Sequence, residues 1–263
     1  MFDRVSARLP QPLQPVLERL VERDILLAGS SLAFYGLVSL LPLLLIAFAT
    51  VDAVAGGDTL TRFTRQAVQS GSTAVGSFVG DLTDQSGSLS WVTVLAALWP
   101  ATAYGGGLRR ALVRTTEGEE SAPGLWGRLM GLGLVFVLPA IVLAGMPLTF
   151  FLVEVTSTTA AGFLLGWGLA LLVGVVAGTG VAAAIYGVFA PQDFGFIDTI
   201  RTAALVATVT TLFSLGFVLY LRVGSVEQRF GGATTGAVVL MGVWLFVANV
   251  LLLAGHQALI ESE

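Results

Sequence analysis

Residues 25–51 read ILLAGSSLAFYGLVSLLPLLLIAFATV, an apolar run with no charged residue between Asp24 and Asp52. A helix rises about 1.5 Å per residue, so roughly 20 residues cross a hydrocarbon core about 30 Å thick. The run is long enough for that crossing. It also begins after a polar stretch and exceeds the apolar part of a cleaved signal peptide. We therefore predict that it is the first transmembrane helix.

Five further apolar stretches follow, each bounded by charged residues. They predict spans at 89–110, 130–153, 162–189, 202–221 and 233–257. Lipid offers no hydrogen-bond partner to backbone N–H and C=O groups, so spans of this kind must be helices. The sequence predicts an all-α fold, a polytopic transmembrane bundle of six spans forming a single domain over 25–260.

Composition supports a membrane protein and excludes several functions. Only 11% of the 263 residues are charged, whereas soluble domains carry roughly 25%, and mean hydropathy is +0.87. The chain has no cysteine, which excludes disulfides and thiolate metal sites. Its net charge of -4 provides no basic field for nucleic acid, so we expect no nucleic-acid partner.

Arginine placement predicts the orientation. If the N-terminus is cytoplasmic, nine of the 13 basic residues lie inside, and the other four lie outside. The nine are Arg4, Arg8, Arg19, Arg23, Arg109, Arg110, Arg114, Arg128 and Arg201, and the four are Arg62, Arg65, Arg222 and Arg229. Because cytoplasmic loops carry the excess of arginine, we predict that both termini are cytoplasmic.

Two segments outside the spans have amphipathic patterns. In residues 1–24, apolar and charged side chains separate onto two helical faces, as in a helix lying on the membrane surface. The outer loop 53–88 repeats the pattern more weakly. The alternative for both is packing against the bundle.

The spans offer polar side chains, but apart from Arg109 and Arg110 at the end of 89–110 they contain no Asp, Glu, Lys or Arg. Ion-coupled transporters usually place ionisable groups near the midplane, so a carboxylate-driven pump is disfavoured. The residues that we expect to line a cavity or contact a substrate are Ser31, Tyr35, Ser39, Tyr104, Tyr186, Asn249 and His256. The alternative is that they only hydrogen-bond between or within helices.

The sequence contains no cluster of residues typical of a catalytic or metal-binding site. His256 is the sole histidine and has no cluster of His, Asp or Glu around it, so we predict no metal site. We also expect no cofactor and no enzymatic activity. One interpretation of His256 is a pH sensor. The other is a histidine at the membrane interface whose hydrogen bonds are satisfied.

Glycines mark two places where helices can approach closely. Gly162 and Gly166, and again Gly174 and Gly178, are four residues apart, which favours close packing within the bundle over a dimer interface. Residues 105–107 are glycines that precede Arg109 and Arg110. They lack the lysine and hydroxyl of a phosphate-binding loop, so they predict a closely packed helix end. The two arginines are candidates for holding a lipid phosphate.

Several motifs resemble the YihY/BrkB family of membrane proteins. They are Ala33-Phe34-Tyr35 with Ser39-Leu40 and Pro42-Leu43-Leu44; Gly106–Leu112 with Arg114; Ala184-Ile185-Tyr186 to Pro191; and Gly231-Gly232 through Trp244-Leu245 to Leu253 and Gly255. The resemblance covers roughly 25–258. It departs at His256, where the family often has glutamate, and at Phe246, where tyrosine is usual.

The resemblance implies an integral inner- or plasma-membrane protein with six spans. The family is linked by name to serum resistance, transport including that of lipids is the role suspected for its members, and some carried a tRNA-processing ribonuclease label. We expect a transporter or lipid-handling protein whose partners are membrane lipids. The alternative is a scaffold without transport activity that binds a second copy or a protein partner. The ribonuclease label does not fit, because no cluster of acid–base or metal-binding groups is present.

Overall fold

The computed structural model describes residues 24–55, 91–116, 133, 160–223 and 233–262. Five long helices lie in these ranges, with no strand among them. They are α1 (Ile25–Ala55), α2 (Trp91–Thr115), α3 (Ala160–Phe189), α4 (Phe196–Val223) and α5 (Ala233–Ser262). The prediction of an all-α fold is confirmed for this part of the chain.

The helices present apolar side chains outward as well as inward. Leu164 is 71% exposed, Val176 64% and Leu205 66%. Helices that are hydrophobic all round belong in lipid or in a large core, and apolar surface this extensive is not stable in water. In the described ranges, the stretches long and apolar enough to cross a membrane are Leu164–Phe189, Phe196–Phe217 and Val238–Glu261, and α1 has a shorter apolar stretch, Ile25–Ser39. The protein is a transmembrane helical bundle.

Helix α5 joins two antiparallel helix pairs, α1 with α2 and α3 with α4. It packs broadly against α1 and α4 and more narrowly against α2. Gly29 of α1 lies against Val250, and Gly36 lies against Leu245, so α1 and α5 also run antiparallel. The last helix therefore holds the two pairs together.

Five helix ends meet at one end of the bundle. Thr115, at the end of α2, contacts His256 of α5, and the His256 ring contacts Phe194, which precedes α4. Arg109 of α2 reaches the backbone carbonyl of Phe189, the last residue of α3. Asp24, directly before α1, belongs to the same group, and we call this the Asp24 end.

Small residues permit the close approach of α3 and α4. A Cβ added at Gly174 would lie 2.7 Å from Cγ2 of Thr211, and one added at Gly178 would lie 3.0 Å from Cβ of Ala207. Both glycines therefore face the neighbouring helix of the same chain. The predicted packing within the bundle is confirmed for this pair of glycines.

Gly174→Ala should destabilise the bundle by about 1–3 kcal/mol, because the new methyl group overlaps a β-branched side chain with restricted rotamers. Gly180→Ala is the matched control on the same helix, since nothing lies within 4 Å of its added Cβ. It should be neutral or more stable by up to about 1 kcal/mol, because alanine favours the helix. Thermal unfolding in detergent measures both. Equal melting temperatures for the two variants would contradict the close contact.

The helices extend past the predicted spans at several charged ends. Helix α4 begins at Phe196 instead of 202, because Asp198 and Arg201 lie exposed in its first turns, where the charge criterion had placed the boundary. Helix α2 continues to Thr115 past the arginines for the same reason. The predicted span 130–153, apart from Gly133, and the segments 1–23 and 56–88 lie outside the described residues.

Candidate functional site

A cleft of about 270 Å³ lies between α1 and α2 at the Asp24 end. Its volume is near the lower end of the range for ligand pockets, roughly 300–1,000 Å³. Its polar lining residues are Asp24, Ser31, Tyr35, Arg110, Arg114 and Thr115, and its other lining residues are Leu27, Ala28, Leu32, Gly107 and Ala111. The cleft is large enough to hold a phosphate-sized headgroup.

Arg110 and Arg114 provide the positive charge of the cleft. They are four residues apart on α2, so they share one helical face, and both side chains are exposed. Nε of Arg110 donates to the carbonyl of Gly106 at 3.2 Å, which orients the guanidinium and leaves its terminal N–H groups available. Both cations also lie near the C-terminus of α2, where the helix dipole stabilises positive charge.

Tyr35 and Gly107 are neighbours in the lining of the cleft. A Cβ added at Gly107 would lie 2.9 Å from Cδ2 of Tyr35, so the tyrosine ring occupies the space that a side chain at 107 would need. Both residues line the cleft. The glycine run before the arginines thus allows close packing of α1 on α2, as the sequence predicted.

Arg109 has a different environment from Arg110. Its Nη1 donates to the carbonyl of Phe189 at 3.4 Å, at the C-terminus of α3, and it does not line the cleft. The last carbonyls of a helix have no hydrogen-bond partner within it, and the helix dipole makes this end partly negative, so a guanidinium there is stabilising on both counts. Of the two predicted phosphate-binding arginines, the structure therefore places only Arg110 in the cleft.

Tyr104, Asn249 and Tyr186, which the sequence predicted to line a cavity, hydrogen-bond between helices. The hydroxyl of Tyr104 donates to Oδ1 of Asn249 at 2.8 Å, linking α2 to α5. The amide of Asn249 donates in turn to the carbonyl of Leu245. The hydroxyl of Tyr186, 1% exposed, donates to the carbonyl of Leu252 at 2.8 Å, linking α3 to α5. These bonds fix how the helices pack around α5.

His256 is fully buried beside the cleft. The hydroxyl of Thr115 donates to the carbonyl of Leu112 at 2.7 Å, so its oxygen accepts from Nδ1–H of His256 at 2.9 Å. This arrangement assigns the proton to Nδ1. Nε2 is buried without a hydrogen-bond partner among the described residues, and the ring contacts those of Tyr186 and Phe194. His256 thus holds a residue of the cleft wall in place.

The predicted site residues fall into two groups. Ser31, Tyr35 and Arg110 come together in the cleft. The others lie in helix contacts away from its lining; they are Ser39, Tyr104, Tyr186, Asn249, His256 and Arg109. Ser39 is buried and donates to the carbonyl of Tyr35 one turn earlier in α1.

The sequence interpretation missed three polar residues of the cleft, Asp24, Arg114 and Thr115. The four-residue spacing of Arg110 and Arg114 was a usable signal for a shared face, but the sequence interpretation paired Arg110 with Arg109 as the phosphate candidates and used Arg114 only for orientation and for the family resemblance. Asp24 likewise served only as a boundary. Nothing in the sequence pattern distinguishes Thr115 from the neighbouring Thr116.

Comparison with known proteins identifies the family of this chain. Neither a curated protein nor a solved structure matches the chain. The family described as "Virulence factor BrkB" matches residues 16–262, which is nearly the whole chain and includes every helix and every residue of the cleft described above. With its apolar helices exposed to lipid, the protein is an integral membrane protein, and it belongs to the BrkB family.

Proposed function

We propose that this protein handles membrane lipids, binding a phospholipid headgroup in the cleft between α1 and α2 and moving the lipid along the bundle. The observation that carries the proposal is the pair of arginines in a cleft beside a lipid-exposed helix. Guanidinium groups match phosphate geometry and remain charged at every physiological pH.

The apolar surface next to the cleft supports lateral access from the membrane. Leu27 lines the cleft and is 59% exposed, and Phe34 and Val38 of the same helix are 65% and 46% exposed. A lipid whose headgroup occupies the cleft can therefore lay its acyl chains along α1. A soluble anion would gain nothing from this surface.

Under the proposal the Asp24 end faces the cytoplasm, and both termini lie there. The excess of arginine in the predicted inside segments supports this orientation. The described helices also support six spans. Helices α2 and α3 both end at the Asp24 end, so α3 begins at the opposite end of the bundle from the end of α2. The proposal assigns the crossing between them to the predicted span 130–153.

We further propose that the protein has no enzymatic role, needs no cofactor and resides in the plasma membrane. The hydrogen bonds of the polar residues near the cleft support the absence of an enzymatic role. Tyr104 and His256 make hydrogen bonds that join helices, and neither is placed to act on a ligand in the cleft. Membrane lipids are then the partners, and nucleic acid is not.

The test is movement of phospholipid between leaflets of reconstituted liposomes. Ser31→Trp should reduce the movement of an acyl-labelled phospholipid to near the rate of protein-free vesicles, because an indole at this position fills the cleft. Ser30→Trp is the matched control. Both serines are exposed and donate to the carbonyl of Leu27, but only Ser31 lines the cleft. The readout is loss of inner-leaflet fluorescence after addition of an impermeant quencher.

The outcomes separate the two functional classes. Movement by wild type and Ser30→Trp, lost in Ser31→Trp, supports lipid handling through the cleft. No movement in well-folded wild type would remove lipid transport and favour a scaffold that binds a second copy or a protein partner. Equal movement by all three proteins would place the lipid path elsewhere.

A further inference from the structure

The cleft is lined by an acidic residue as well as by two arginines. Asp24, Arg110 and Arg114 all line it. Within the described ranges, none of the three lies within ion-pair distance of an opposite charge; the ion pair between Asp198 and Arg201 is separate from the cleft. Asp24 is therefore not the counterion of either arginine, and a ligand can contact both kinds of charge.

The hydroxyl of Ser31 adds a hydrogen-bond acceptor to this arrangement. It donates its own proton to the carbonyl of Leu27 at 3.0 Å, so its oxygen presents only lone pairs to the cleft. The oxygen of Thr115 is likewise an acceptor, and it already receives the N–H of His256. An acceptor oxygen and a carboxylate together suit an N–H donor with positive charge, and they do not suit a phosphate.

We propose that the cleft recognises a phosphoryl headgroup that also carries a primary ammonium group, as in an aminophospholipid. This rests on the proposed lipid-binding function of the same cleft. The phosphate lies against Arg110 and Arg114, and the ammonium donates to Asp24 and Ser31. A purely anionic headgroup would meet the repulsion of Asp24, and a purely cationic one would meet that of the arginines.

The backbone at Asp24 provides a well-matched substitution. Its φ of 52° lies in the left-handed region, which Asp and Asn adopt more readily than other residues. Its carbonyl accepts the N–H of Ala28 at 2.8 Å and begins α1. Asp24→Asn therefore removes the charge and keeps the conformation that starts the helix.

The experiment is native mass spectrometry of the full chain in detergent with equal amounts of phosphatidylethanolamine and phosphatidylglycerol. Wild type should favour phosphatidylethanolamine, and Asp24→Asn should shift the ratio toward phosphatidylglycerol by about fivefold, since one charge near a membrane surface changes affinity by that order. N-acetylated phosphatidylethanolamine, which has no ammonium, should bind wild type more weakly than the parent lipid. That comparison needs no variant, so it holds even if Asp24→Asn folds poorly.

A further arm identifies the source of the headgroup. Soluble phosphoethanolamine in excess should displace the lipid if the headgroup alone suffices, and should leave it bound if the acyl chains contribute most of the affinity. Equal changes in both lipids with Asp24→Asn, together with equal binding of the acetylated lipid, would overturn recognition of the ammonium. Binding that does not depend on Arg110 and Arg114 would instead overturn the proposed function.

Discussion

Replacing Arg110 and Arg114 together by glutamine should weaken the binding of phosphatidylglycerol by about 30-fold. Each arginine near a membrane surface contributes about 1 kcal/mol toward an anionic headgroup, so the pair contributes about 2 kcal/mol. Both side chains are exposed and line the same cleft, so their removal changes its charge without disturbing the core. Titration of lipid into protein held in phosphatidylcholine nanodiscs measures the change.

Two single substitutions distinguish lipid binding in the cleft from general electrostatic attraction of the lipid to this end of the bundle. Arg201→Gln removes one positive charge, as Arg110→Gln alone does, from the same end of the bundle but outside the cleft, and it should leave binding nearly unchanged. Arg109→Gln should lower the melting temperature and leave lipid affinity nearly unchanged, because Arg109 hydrogen-bonds the end of α3. If Arg201→Gln weakened binding as much as either cleft arginine, the attraction would be a property of the surface and not of the cleft.

Gly255→Val should destabilise the bundle by about 3 kcal/mol or more, and little folded protein should remain. A Cβ added at this position would overlap both the hydroxyl of Tyr186 and a methyl group of Val206, which belong to two different helices. Overpacking costs about 1–3 kcal/mol, and displacing Tyr186 also breaks its hydrogen bond to the carbonyl of Leu252, a further loss of about 1 kcal/mol.

The matched control for this variant is Ala258→Val, an exposed position one turn further along α5. It introduces the same side chain without contacting a neighbouring helix. Its free energy of unfolding should lie within about 0.5 kcal/mol of the wild-type value. The measurement is the fraction of protein that stays monodisperse after heating in detergent. Equal survival of Gly255→Val and Ala258→Val would mean that α3, α4 and α5 do not meet at Gly255.

Much of the fold follows from the sequence because hydrophobicity and helix length are local properties. The apolar run 25–51 is sufficient to predict α1, which ends four residues later at Ala55. The predicted spans 162–189 and 233–257 likewise fall within α3 and α5. The helices are longer than the predicted spans at charged ends, as in α4, because a helix continues past a charge that reaches water or headgroups.

The candidate site was only partly predictable, because the sequence cannot say which face of a helix meets which neighbour. Ser31, Tyr35 and Arg110 were expected at a site, and the structure brings them together. Tyr104 and Asn249 were expected to line a cavity with them, and instead hydrogen-bond each other across the contact of α2 and α5. Both outcomes are compatible with the same pattern of polar residues in apolar helices.

The sequence by itself determined that this is a helical membrane protein of the BrkB family, because charge-free length and composition decide whether a chain can lie in lipid. Only the tertiary structure decided that Asp24, from the start of α1, shares a cleft with Arg114, from the end of α2. Those residues are far apart along the chain, and the antiparallel packing of Tyr35 on Gly107 brings them together. Such a contact depends on shape at the helix interface, which no local pattern records.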